Sequence, residues 1–142
     1  MKPMLHIAAL LAGLIAAGSV HARSPEPLVE HPQVSVVTGS GKIPDADAFK
    51  KAVVGAVAAN QRKWRLEHSA DGKSMQAKLS WQNDKHSIVV NIVPAGQTYA
   101  VRYVSSVNMK YEVVNGQPVI HPFYNKYVDE LLTSIRGELI KL

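Results

Sequence analysis

The chain has 142 residues, a formal charge of +5, 46% hydrophobic residues and no cysteine. Without cysteine there is no disulfide, thiolate nucleophile, cysteine-bound metal or lipid-modified cysteine, so the fold rests on packing alone. The length suits one domain and can bury a core without staples.

The first 22 residues hold a basic start at Lys2, an uncharged apolar run over residues 7–18, and the small-residue ending Val20-His21-Ala22. Those features make a secretory signal peptide cut after Ala22. The apolar run is too short to span a bilayer as a helix, which takes about 20 residues. The working chain is therefore expected to start at Arg23, in a bacterial periplasm, with no transmembrane segment. In an exported protein mild basicity points away from nucleic acid. It points toward an anionic envelope polymer or an envelope protein, such as lipid phosphates, peptidoglycan carboxylates or an acidic protein. The plainer reading is that the charge keeps a domain soluble.

Residues 23–33, with Pro25, Pro27 and Pro32, read as a flexible lead-in. Residues 34–142 read as a single α+β domain. The valine-rich stretch 33–38 predicts a strand, and Thr38-Gly39-Ser40-Gly41-Lys42 a loose connection. A phosphate-binding loop would need glycine and Ser or Thr where Val36 and Ile43 stand, so that chemistry fails. From Asp45 the period becomes helical: Asp45 suits the N-cap, Phe49, Ala52, Val53, Ala56 and Val57 share one stripe, and Asn60 ends it.

The period then falls to two. Four stretches alternate: Trp64 to His68, Met75 to Trp81, Ile88 to Ile92, and Tyr99 to Ser105, with turns at Asp71-Gly72, Asn83-Asp84 and Pro94-Ala95-Gly96. Short turns between alternating strands predict an antiparallel meander with one buried face. Asn115-Gly116 adds a small hairpin, and Pro118 confines its second arm to an edge. Pro122 then opens a long helix, capped by His121 or a neighbour, whose stripe includes Tyr124, Tyr127, Leu131, Ile135 and Leu139. The order β-α-β-β-β-β-α, with two one-sided helices, predicts an antiparallel sheet of four to five strands with both helices on one face.

Catalytic and metal constellations are poorly supported. The acidic residues fall in the lead-in, at turns or on polar faces, where burial does not raise a carboxyl pKa. Of His31, His68, His86 and His121, only His86 and His121 are expected to approach each other, and two ligands make a weak metal site. No cofactor and no metal is expected.

Two features remain. One is a polar-aromatic group at the edge where the second helix starts: Tyr103, Ser105, Ser106, Asn108, Tyr111, His121, Tyr124 and Asn125. It reads either as a network satisfying tyrosine hydroxyls and capping the helix, or as a small-ligand or enzymatic site with His121 as acid–base and the helix end holding an anion. The other is the outer sheet face. Lys63, Arg65, Lys78 and Arg102 are expected to point away from the helices, against the acid Glu67, beside an apolar strip of Val89, Val93, Ala100 and Val104. Such a face docks a partner or pairs in a homodimer.

The stretches Tyr103-Val104-Ser105-Ser106-Val107-Asn108-Met109-Lys110-Tyr111 and Ile120-His121-Pro122-Phe123-Tyr124-Asn125, with Trp64 after the first helix, carry a likeness to known sequences. Over residues 45–140 the chain resembles a family of small uncharacterised proteobacterial envelope proteins, many of them predicted lipoproteins. The chain departs from that family in lacking the lipobox cysteine. The resemblance implies an envelope address and this kind of fold, and it lends no catalytic role to any residue. The sequence thus reads as a non-catalytic periplasmic binding or accessory module that works through its open sheet face, with the polar-aromatic edge or a structural homodimer as alternatives.

Overall fold

The computed structural model describes residues 23–69 and 71–142; the signal peptide expected over residues 1–22 lies outside them.

Helix α1 spans Ala46–Ala59. Asp45 starts it as expected, its Oδ1 accepting from the Ala48 N–H at 2.8 Å, which satisfies one of the orphan amides of a helix start. Asn60 ends it and is buried between the two helices. Its Nδ2 donates to Ser134 Oγ at 3.0 Å and its Oδ1 accepts from the Arg62 N–H at 2.9 Å. Helix α2 spans Phe123–Leu139.

The strands are β1 (Glu26–Pro27), β2 (His31–Ser35), β3 (Arg65–His68), β4 (Met75–Trp81), β5 (His86–Ala95), β6 (Thr98–Val107), β7 (Glu112–Val114) and β8 (Gln117–Ile120). They form a five-stranded sheet in the order β2-β6-β5-β4-β3 and a three-stranded sheet in the order β1-β8-β7. All the pairings are antiparallel, so the α+β class and the meander stand as the alternation indicated. The turns carry the residues that such turns need, with Gly72 at φ +63°, and Asn115 and Gly116 at +50° and +76°.

Residues 23–33 are extended but not a free lead-in. Glu26 and Pro27 pair with Ile120 and Val119, and His31 pairs with Val101. Pro27 and Pro32 are admitted because β1 and β2 are edge strands, where a missing N–H costs no ladder bond. The small hairpin consequently belongs to a second sheet with Glu26 and Pro27 rather than extending the meander.

One core lies between the large sheet and the helices. Ala77, Leu79, Ile88, Val90, Ile92, Tyr99 and Val101 from the sheet meet Phe49, Val53 and Ala56 of α1 and Val128, Leu131 and Ile135 of α2. Each buried aliphatic side chain of this kind contributes about 1.5–3 kcal/mol. Ring contacts tie the layers: Phe49 to Tyr99 at 5.5 Å and Trp81 edge-on to Tyr127 at 5.5 Å. Both helices thus cover the same side of the sheet.

The alternation of β6 breaks once. Val89 pairs with Ser105 but the next residue, Val90, pairs with Tyr103, so Val104 is an extra residue in a β-bulge. Past it the phase inverts. Ser105, expected to face the core, points outward, and Ser106 takes the inward place.

Candidate functional site

The outer face of the large sheet is organised in rows. Register sets Arg65 beside Lys78, Lys78 beside Val89, and Val89 beside Ser105. In the next row outward Glu67, Gln76, Asn91 and Arg102 follow one another. Arg65 and Arg102 therefore stand about 16 Å apart, at ~4.8 Å per strand and ~3.3 Å per residue. Both are exposed and neither forms an ion pair among the described residues. Lys78 is partly engaged, its Nζ 3.9 Å from Glu67 Oε1, a contact worth little in solvent. Lys63 precedes β3 in the turn after α1, with φ at +60°. It is exposed beside the face rather than on it.

The apolar strip differs from expectation. Val89 is only 9% exposed and Ala100 6%, because a small side chain in a central strand sinks between longer neighbours. Neither offers much contact area. Exposed apolar surface lies at the far end of β6, where Val104 is 41% exposed as expected and the bulge turns out Val107 (50%).

The polar-aromatic residues do assemble at the start of α2, and most are engaged in holding the chain together. Tyr103 stacks on Tyr111 with ring centres 4.5 Å apart and meets Tyr124 edge-on at 5.7 Å. The Tyr103 and Ser106 hydroxyls lie 2.9 Å apart. Asn108, at φ +54°, donates to Lys85 O at 2.6 Å, and its own carbonyl accepts from His86 Nδ1 at 3.3 Å. Asn125 Nδ2 donates to Glu26 Oε1 at 2.8 Å and Pro27 O at 2.9 Å. Ser105, on the outer face, is not part of this group. Tyr124 is buried, which raises its hydroxyl pKa well above the ordinary tyrosine value.

His121 has a specific task. Its Nδ1 accepts from the Phe123 N–H at 3.1 Å and its carbonyl from the Tyr124 N–H at 2.9 Å. Two of the amides expected to hold an anion are therefore already used. The bond requires Nδ1 without a proton. Burial, followed by the charges of Lys110, Arg23 and His86, lowers the His121 pKa against an opposing pull from Glu26. A neutral ring serving as a helix cap is poorly placed to act as an acid–base.

A row of aromatic rings beside this edge is not among the features expected from the sequence. His86 stacks on Trp81 at 5.3 Å, and Phe123 stacks on Tyr127 at 5.2 Å. Arg62 lies over Tyr127 at 4.3 Å while its guanidinium bonds Glu130 at 2.7 and 3.2 Å. The available signal was the tight turn after β4, which sets Trp81 opposite His86.

Two surface grooves flank α2. The larger, about 700 Å³, is lined by polar side chains including Asn60, Lys126, Glu130 and Ser134. The second, about 590 Å³, lies against β2. Neither is lined by the polar-aromatic group. No helix among the described residues is long and apolar enough to cross a membrane. Comparison with family models, with curated proteins and with solved structures finds no match.

Proposed function

We propose that this chain is a non-catalytic periplasmic binding or accessory module whose outer sheet face contacts an anionic envelope polymer or an acidic envelope protein. The observation that carries the reading is the facial asymmetry. Both helices serve one side of the sheet, while Arg65, Lys78 and Arg102 occupy the other against the single acid Glu67. Lys63 adds charge at its rim, and Val104 and Val107 add apolar contact at its far end. The leader-like start and the resemblance to small envelope proteins support the compartment.

Single exposed ion pairs contribute about 0–1 kcal/mol each. Binding by such a face is therefore multivalent and strongly salt-dependent, because charges are screened over about 8 Å at physiological ionic strength. The test is retention on envelope extracts across a salt series. Wild type is expected to bind at 50 mM salt (roughly a 14 Å screening length) and to elute as salt rises. The triple variant Arg65→Glu, Lys78→Glu, Arg102→Glu is expected not to bind. Equal retention of the variant removes the proposal. Light scattering at two protein concentrations separates it from a homodimer, in which the face would be taken up by a second copy.

The rival site at Tyr103, Asn108, His121 and Asn125 has no comparable support, since His121, Asn108 and Asn125 all hold backbone in place.

A further inference from the structure

The 590 Å³ groove beside β2 has a wall of an unusual kind. Every residue from Glu30 to Ser35 lines it. Successive strand residues point to opposite faces, so a wall formed by all of them is the backbone edge of the strand. Among the described residues β2 pairs with β6 on one side only, which leaves a row of main-chain groups on the groove side without a ladder partner there. Pro32 lacks an N–H, and the register shifts between His31 and Val34. The usable edge is therefore residues 33–37, about 16 Å at ~3.3 Å per residue.

The opposite wall is the C-terminal half of α2. His31 Nε2 lies 3.6 Å from Asp129 Oδ1 and the Gly39 N–H donates to Ile140 O at 3.0 Å, so α2 runs alongside β2 in the same direction. Arg136, between those two contacts, stands opposite the open stretch and lines the groove. It forms no ion pair among the described residues. Val37 (60% exposed) and Ile140 (57% exposed) make an apolar end next to it. Glu30 lies at the far end.

We propose that this groove binds the C-terminal end of an extended peptide. The peptide adds to β2 as a parallel strand, with its terminal carboxylate on Arg136 and its last side chain between Val37 and Ile140. Charge complementarity carries this choice of occupant: a guanidinium with no ion pair among the described residues lies at the end where the carboxylate falls, and the acid Glu30 at the end where a cationic residue four or five positions earlier falls. Main-chain pairing supplies affinity and the apolar end supplies selectivity, as in strand addition generally. This site is separate from the outer face and stands or falls independently of it.

The probe is a pool of fluorescent hexapeptides with lysine first, uncharged residues between and a free carboxylate, measured against the same pool carrying a C-terminal amide. The acid pool is expected to be retained on the immobilised protein at least tenfold better than the amide pool, with valine, leucine or isoleucine enriched at the last position. Arg136→Gln is expected to remove that preference and Arg136→Lys to keep part of it, since a bidentate guanidinium pair exceeds a single ammonium contact. Equal retention of acid and amide, no retention of either, or an acid preference unchanged in Arg136→Gln overturns the proposal. So does a concentration-dependent dimer lost in Arg136→Gln, which would make a second copy the occupant.

Discussion

Asn125, in the first turn of α2, accepts the main-chain N–H of Val29 on its Oδ1 at 2.9 Å, across 96 residues of sequence. With its two bonds to Glu26 and Pro27, this one side chain fastens the start of the described chain to the small sheet and to the helix. Lys110 assists by donating to Arg23 O at 3.2 Å, and Arg23 lies over the Phe123 ring at 5.2 Å.

Asn125→Ala is expected to lower stability by about 1–3 kcal/mol, the usual cost of orphaning partly buried partners. Urea unfolding measures it. A change below about 0.5 kcal/mol, within the range of ordinary surface substitutions, would show that the clasp holds nothing.

The cap on α2 is pH-sensitive. The His121 pKa is lowered in the folded chain, so folding favours the neutral ring. Its contribution is complete above the ordinary value of 6.5 and is lost as pH falls through the depressed folded value. The urea midpoint is expected to hold steady from pH 8 to 7 and to decline below about 6.5. In His121→Asn, whose side chain can accept the Phe123 N–H without titrating, that part of the decline is expected to vanish. Glu130, held below the usual carboxylate range by its bond to Arg62, leaves a further loss at lower pH in both proteins. Parallel curves for the two proteins between pH 7 and 5.5 would contradict this role.

Tyr99 is fully buried and its hydroxyl has no hydrogen-bond partner among the described residues; burial pushes its pKa up to about 12. Removing an unsatisfied buried hydroxyl relieves a desolvation cost. Tyr99→Phe is therefore expected to be neutral or more stable by up to about 1 kcal/mol, as read by thermal unfolding. A clear loss of stability would mean that the hydroxyl is bonded.

The fold was legible wherever the signal was local. Asp45 and Asn60 bound α1 as residue type predicts, Asp71-Gly72 and Asn115-Gly116 turn the chain, and the stripe of α2 faces the core. What escaped depends on contacts distant in sequence. No residue type marks the bulge at Val104, since valine and serine suit either phase of a strand, yet it moves Ser105 from the core side to the outer face. Three prolines suggested a loose lead-in, but proline reports only a missing N–H, which an edge strand tolerates. The polar-aromatic residues other than Ser105 are neighbours, as their order along the chain implies. That they fasten backbone became visible only with Asn125 on Val29 and His121 on Phe123. Arg136 carried no sequence signal, because its importance comes from the free edge of β2 beside it.

Lysine acetylation of the protein, alone and with envelope extract, mapped residue by residue by mass spectrometry, tests the outer face most directly. Lys63 and Lys78 are expected to become protected on binding, while Lys110, by the polar-aromatic edge, reacts as in the free protein. Protection of Lys110 with Lys63 and Lys78 unchanged would contradict this expectation.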